Sequence, residues 1–278
     1  MSTQQEFVKQ CKGKDFDKVT APKLDDRYYY SIKYDGNYVQ IHKKGDEIKF
    51  FTSGGKEFYL IDIADYLIEH NQGKDFIIEG EYIANTTGKM GNRGKCTCTT
   101  YRTLFNKGLP AYAKTAKIMA FDFISSLGNY VLRRTELELL DLGPNIQTVE
   151  LMGILDLETI KSTMLPMYIR DGWEGLMLVS PNHIYNEGKR QNTSIKLKDR
   201  KTADLKCVDI IMGEGKYSGM IGSLVLVDKN RRVVSVGSGL NDYDRAKDPN
   251  EFIGKIVEIG YEQILDTYIQ PTYRGVKL

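Results

Sequence analysis

The sequence predicts an α+β chain: a mixed domain of strands and helices over residues 1–200, then a small β-barrel-like domain over 204–278. Two observations carry this. From Tyr28 to Asp199, segments rich in aromatic and β-branched residues alternate with stretches whose apolar residues recur at helical spacing. After "DRKTADLK" the texture changes. "CVDIIMGEG", "GSLVLVD", "RVVSVGSG" and "KIVEIGYEQI" are four short strands separated by Gly, Asn and Asp turns, with almost no room for helix.

Residues 1–26 are polar and show little periodicity. "YYYSIKYDGNYVQIHK" and "EIKFFTS" read as strands, with "KKGD" supplying a hairpin turn between them. "EFYLIDIADYLIEHN" has the helical period and stops before Gly73. "DFIIEGEYIAN" reads as a buried strand, and the Gly- and Thr-rich residues 85–100 as a loop carrying Lys89, Arg93 and Lys95 with no acid. "AKIMAFDFISS" is a further strand. Helix is expected over "RTELELLDL" and over "LETIKSTMLPMYIRDG", the second interrupted at Pro166. "EGLMLVS" and "TSIKLKD" return to strand before the boundary at 199–204.

Composition narrows the chemistry. The chain has 278 residues, enough for two domains with cores of their own. A net charge of +2 means that attraction to a polyanion must come from local patches. Cys11, Cys96, Cys98 and Cys207 fit neither a disulfide framework nor a zinc knuckle, so free thiols in a reducing compartment are expected. No apolar run reaches membrane-spanning length and the start "MSTQQEF" is not a signal peptide, so a soluble, intracellular protein without membrane contact is expected. Three histidines, none near a nucleophile motif, argue against a histidine triad. Neither a Walker loop nor a dinucleotide-binding glycine fingerprint occurs.

What remains is lysines and carboxylates on strands: Lys33-Tyr34-Asp35-Gly36, Glu79-Gly80-Glu81, Phe121-Asp122-Phe123, Glu174-Gly175-Leu176 and Lys196-Leu197-Lys198. Each alone has an ordinary explanation. Asp-Gly is a common turn, Glu79 and Glu81 suit the solvent side of a strand, and Phe121 suits a core. In this order and spacing, they resemble the nucleotidyltransferase motifs of ATP-dependent DNA ligases, RNA ligases and mRNA capping enzymes. "GEGKYSGMIGSLVLVD" and "VSVGSGLNDYDR" resemble the OB-fold domain of compact bacterial and phage-type ATP-dependent DNA ligases. With 32 residues before Lys33 and little after the barrel, the resemblance is to the minimal two-domain form rather than to NAD-dependent ligases.

The resemblance implies an adenylation domain of antiparallel sheets with helices, and nick sealing through a lysyl-AMP intermediate formed from ATP with Mg²⁺ or Mn²⁺. Lys33 would be the nucleophile. Lysine is protonated at its ordinary pKa near 10.4, and neighbouring cations can release the amine. Lys196 and Lys198 would supply those cations and neutralise the α-phosphate. Ile32 would border the nucleotide and Glu81 would hold the ribose. Phe121 would stack on adenine, and Glu174 with Glu81 would contribute to the metal shell. Nicked duplex DNA is the expected partner, bound by a monomer mainly through phosphates. Its candidate contacts are Lys89, Arg93, Lys95, Lys189, Arg190, Arg200, Lys201 and Lys216.

Three positions depart from the pattern. Tyr38 and Ser53 stand where DNA ligases usually have arginines linked to the nick's 5′-phosphate or the nucleotide. Both can donate a hydrogen bond, but neither makes the charged fork of a guanidinium. Arg27 or Arg93 could substitute. The tail "IQPTYRGVKL" matches the pyrophosphate-orienting motif loosely, through Arg274 or Lys277. An RNA ligase, and a nucleic-acid-binding OB protein with an inactive transferase domain, are the alternatives.

Overall fold

The computed structural model describes residues 7–19, 27–84, 86–91, 98–112, 116–124, 128–264 and 266–277, with backbone only at 17 and 98–100. Two compact units divide the chain, Met1–Lys198 and Asp199–Leu278. The first runs β1 (Lys12–Asp15), β2 (Arg27–Ile32), β3 (Asn37–Lys44), β4 (Glu47–Thr52), β5 (Glu57–Phe58), α1 (Ile61–His70), β6 (Phe76–Ala84) and α2 (Cys98–Asn106). It continues through β7 (Lys117–Phe123), α3 (Tyr130–Glu138), β8 (Ile146–Thr148), β9 (Ile154–Asp156), α4 (Leu157–Thr159), α5 (Leu165–Arg170), β10 (Gly175–Val179) and β11 (Arg190–Lys198).

These strands make two sheets, ordered β1-β11-β10-β2-β9 and β5-β4-β3-β6-β7-β8. Pairing is antiparallel except for β1 with β11 and β7 with β8, two parallel pairs that the sequence reading did not include. Alternation along each strand sorts the side chains. Tyr28, Tyr30, Leu176, Leu178, Ile195 and Leu197 turn outward to pack with Ile160 and Leu165 of the helical segment after β9. Val39, Ile41, Phe50, Ile78 and Ile118 turn outward to pack with Ile63, Ala64 and Leu67 of α1. Full burial of one such side chain is worth about 1.5–3 kcal/mol, so these two faces hold the sheets. The opposite faces carry the polar residues between them.

Several elements differ from expectation for local reasons. The helix predicted over 134–142 occupies Tyr130–Glu138, because the Asn129 side chain caps it by accepting from Leu132 N–H at 3.2 Å. Pro166 does not interrupt its helix. A π-turn over Ile160–Met164 precedes it, with Leu165 N–H donating five residues back to Ile160, so Pro166 falls in a first turn that needs no donor. Residues 98–100, read as loop, begin α2, and β1 forms inside the segment that shows little periodicity.

The second unit comprises β12 (Lys201–Met212), β13 (Ile221–Val227), β14 (Val233–Val236), α6 (Asp242–Arg245), β15 (Ile256–Tyr261), β16 (Gln263–Ile264), β17 (Tyr268–Ile269) and β18 (Thr272–Val276). Its main sheet is ordered β14-β13-β12-β15-β18. Tyr273 N–H on β18 donates to Ser238 C=O just past β14 at 2.8 Å, bringing the sheet's two edges together as in a five-stranded OB barrel. Leu205, Leu224, Leu226, Val236, Phe252, Val257 and Ile259 fill the interior. Two details correct the sequence reading. β12 starts six residues before Cys207, inside "DRKTADLK", and the tail supplies a fifth strand. No helix among the described residues is long and apolar enough to cross a membrane.

Candidate active site

Residues 33–36 carry the chain from β2 in one sheet to β3 in the other, and this crossing is where the polar faces meet. Gly36 is required by close approach. A Cβ there would lie 2.5 Å from Tyr82 C=O and 2.9 Å from Glu81 Cγ. Asp35 is buried and ties down the following loop, its carboxylate accepting from Gly91 N–H at 2.8 Å while its N–H donates to Gly88 C=O at 2.8 Å. The Asp-Gly turn therefore fixes the end of the strand that carries Lys33.

Strand register brings the distant lysines and Glu174 together. Leu176 pairs with both Ile32 and Leu197, and Gly175 pairs with Lys198. Lys33 N–H donates to Gly175 C=O at 2.9 Å, so Lys33, Gly175 and Lys198 form one row across three strands. Gly175 allows the fit, since a Cβ at its φ of +152° would sit 2.2 Å from Leu197 C=O. Glu174, 2% exposed, holds Lys33 Nζ through one carboxylate oxygen and Lys198 Nζ, 2.5 Å away, through the other. Burial pushes its carboxyl up, but the two ammonium groups outweigh this and hold it below its ordinary value.

Lys196 lies two residues before Lys198, on the same face of β11. Among the described residues no carboxylate pairs with it. Burial, assisted by the charges of Arg190, Lys33 and Lys198 and opposed by Asp15, pulls its ammonium down to about 8.

Lys33 and Lys196 border a cavity of about 500 Å³ between the two sheets, within the range of about 300–1,000 Å³ common to small-molecule sites. Ile32, Lys33, Tyr38, Ser53, Glu81, Phe121, Arg190 and Lys196 line it. Glu174 and Lys198 do not. They lie behind Lys33 as its support. Glu81 accepts from Gly36 N–H at 3.1 Å. Phe121 sits at a β-bulge: Asp122 pairs with Glu79 and Ala120 with Gly80, leaving Phe121 unpaired and turned to the cavity.

The cavity wall also holds a second polar cluster that sequence reading missed, with Tyr38, Glu79, Asp122 and His183 among the lining residues. Glu79, placed by that reading on a solvent face, is 1% exposed. It accepts from Tyr38 Oη, from Tyr185 Oη at 2.8 Å and from Gln40 Nε2 at 3.4 Å. Burial and then the charge of Asp122 push its carboxyl up to about 7, although those donors oppose the rise. Arg133, fully buried, forks onto Asp122 at 2.9 and 3.0 Å and donates to His183 C=O at 2.9 Å. The arginine and Tyr185 stand in no motif that a sequence could reveal. Alternation along "IIEGE" was the one available sign, because Glu79 shares a strand face with Glu81.

The remaining predicted contacts lie elsewhere. Lys89 donates to Asp171 C=O at 2.6 Å and stands over the Trp173 ring. Arg27 is exposed at the start of β2, and Lys189 is exposed just before β11. Arg93 and Lys95 fall outside the described residues. Arg200, Lys201, Lys216, Arg274 and Lys277 belong to the second unit. There Lys216 stands over Tyr217, Arg274 lies against Gly260, and Lys277 pairs with Asp204 at 2.8 Å. No group of three or more His, Cys, Asp or Glu able to hold a metal occurs among the described residues. Glu79, Glu81 and Asp122 are the carboxylates that line the cavity among the described residues, with Glu174 behind Lys33.

Comparison with known proteins adds to this. Residues 8–198 match the family model for the ATP dependent DNA ligase domain, and residues 212–268 match the DNA ligase OB-like domain. DNA ligase 2 of Methanosarcina mazei is 26% identical over 248 residues, which cover 82% of this chain and 43% of that protein. A DNA ligase of Saccharolobus islandicus is 29% identical over 236 residues, 76% of this chain and 39% of its own. The chain thus spans about two fifths of these curated relatives. A solved structure from a structure–function analysis of Lig E DNA ligases superposes with a TM-score of 0.73 at 18% identity, covering 98% of this chain and 100% of that one. Another, Pmar-Lig_Pre, gives 0.75 at 21% identity, covering 97% and 68%. At such identity these two speak for the fold alone.

Proposed function

This chain belongs to the ATP-dependent DNA ligase family, and from that premise we propose that it seals 5′-phosphate/3′-hydroxyl nicks in duplex DNA, acting as a monomer. The observation that carries the reading is Lys33 on the cavity wall, with Glu174 holding its Nζ from behind and Lys196 alongside. In the first step Lys33 Nζ sheds a proton, for which Glu174 is the acceptor in contact, and attacks the α-phosphorus of ATP. A P–N bond forms, the P–O bond to the β-phosphate breaks, and pyrophosphate leaves with the electron pair. Lys196 and Lys198 offset the charge that builds on the α-phosphate. Next, an oxygen of the DNA 5′-phosphate attacks the same phosphorus, the P–N bond breaks and the lysine regains its proton. Finally the 3′-hydroxyl oxygen attacks the 5′-phosphorus and gives up its proton to solvent, the P–O bond to AMP breaks and AMP departs with the electron pair.

Within the cavity, Phe121 offers a flat face for adenine, Ile32 borders the base and Glu81 can accept from the ribose hydroxyls. Mg²⁺ enters as part of the substrate, MgATP. A cation that keeps most of its water and phosphate ligands needs one or two carboxylates, a role we assign to Glu81 on the cavity wall, with Glu174 behind Lys33 as the second. Of the basic residues outside the cavity, Lys89, Arg200 and Lys216 serve as DNA phosphate contacts, and Arg274 or Lys277 orients pyrophosphate. Homology to DNA ligases favours DNA over RNA as substrate. The test is transfer of label from [α-³²P]ATP to the protein, followed by a panel of nicked DNA, RNA and hybrid duplexes. Wild type should label and seal DNA, and Lys33→Ala should do neither. Labelling of Lys33→Ala at the wild-type rate would overturn the assignment.

A further inference from the structure

A second cavity of about 280 Å³ opens beside the nucleotide cavity. Asn37, Tyr38 and Ser53 line both. Val39 pairs with Thr52, so the next residues outward, Tyr38 and Ser53, are neighbours across the β3–β4 pair. They are the dividing wall. Both can donate a hydrogen bond, and neither carries charge.

The charge lies just beyond them. Among the described residues, the charged ones lining the second cavity are Lys56 and Arg102, both positive. Lys56 follows β4 in a turn held by Thr52, whose Oγ1 accepts from Lys56 N–H at 3.2 Å and whose N–H donates to Lys56 C=O at 2.9 Å. Arg102 projects from α2 and is half-buried. Among the described residues neither has a carboxylate partner. Two like charges converging on one hydroxyl-lined hollow repel each other, and an anion bound between them relieves that cost.

We propose that Lys56 and Arg102 form the subsite that holds the 5′-terminal phosphate of the strand being joined. The inference rests on the ligase reading above. In that reading an acceptor phosphate must sit against the nucleotide cavity, close enough for its oxygen to reach the lysyl-AMP phosphorus. A cationic hollow across the Tyr38–Ser53 wall meets this need, and it supplies from α2 and the β4–β5 turn the charge that positions 38 and 53 lack.

Separating the reaction steps tests it. Lys56→Gln, Arg102→Gln and the double variant are labelled with [α-³²P]ATP without DNA. Each is then chased onto a nicked duplex, and binding to duplexes carrying a 5′-phosphate or a 5′-hydroxyl is measured. Labelling should match wild type. Transfer to DNA should fall roughly 10- to 100-fold per substitution, as expected for loss of a charge-assisted hydrogen bond, and the preference for 5′-phosphate should vanish in the double variant. Lys56→Arg should retain most of both. Unchanged transfer and preference would overturn the proposal. So would a raised KM for ATP in the labelling step, which would assign the cations to the outer phosphates of ATP. A wild-type protein that binds 5′-phosphate ends preferentially but never labels would sink the ligase reading and leave the subsite standing. Wild-type binding without that preference sinks the subsite.

Discussion

Glu174 and Glu79 are both removed from water, at 2% and 1% exposure, on facing sheets of the same unit. Their protonation nevertheless goes in opposite directions. Glu174 has two ammonium groups against its oxygens and is held below its ordinary value. Glu79 has hydroxyl and amide donors but, among the described residues, no cation in contact, and it faces Asp122, so it rises to about 7. Burial acts alike on both, and the charge next to each oxygen decides the outcome. One carboxylate is an electrostatic clamp on Lys33. The other is a proton-holding post in the cavity wall.

The largest test of this contrast is Glu174→Gln. It removes the carboxylate that holds both Lys33 and Lys198, so self-labelling should fall below detection and stability should drop by about 3–5 kcal/mol in urea unfolding. An unchanged unfolding midpoint would show that the clamp holds nothing.

A smaller effect is expected at Lys196. Its ammonium is pulled down to about 8 chiefly by burial, and in the proposed mechanism it acts in the charged form. The kcat/KM for self-labelling should therefore decline above about pH 8, by close to tenfold per pH unit. Lys196→Arg should remove that limb, because guanidinium stays charged across the range. A limb that persists unchanged in the arginine variant would assign it to another group.

The smallest effect is on stability against pH. In the folded chain Glu79 keeps its proton up to about 7, and the unfolded chain releases it near 4.5, so this group makes stability fall as pH rises through that window. His42 and His183, both lowered to about 4 by burial, act the other way, and stability rises with pH between about 4 and 6.5. Two histidines outweigh one carboxyl. Glu79→Gln should steepen the rise over pH 4.5–6.5 by one proton's worth, about 1.4 kcal/mol per pH unit at most. Unfolding midpoints across that range measure it, and an identical slope in both proteins would mean that Glu79 is ionised throughout.

Much of the fold was legible because the alternation of side chains is a local property. The central strands and α1 could be placed from pattern alone, and the lysines of "IKLK" from their opposition to Ile195 and Leu197. Elements that answer to distant partners were not legible. β1 exists because β11 offers it an edge, and β18 because β15 does. A cap at Asn129 moved α3 and a π-turn carried the chain through Pro166, each through backbone bonds that composition does not report.

By itself, the sequence determined which chemistry this protein can attempt: a lysine at a turn, carboxylates and lysines on strands, and no histidine triad or phosphate loop. Hydrophobic period and residue type travel with the chain, so these could be read from the order of letters. Only the tertiary structure decided that Glu174 stands behind Lys33 rather than in the cavity and that Glu79 is buried on Tyr38 and Tyr185. It alone brought Lys56 and Arg102 to one hollow. Those outcomes depend on strand register and on one bulge at Phe121. A one-residue change in pairing sends a side chain to the opposite face of its sheet, and no local pattern records that choice.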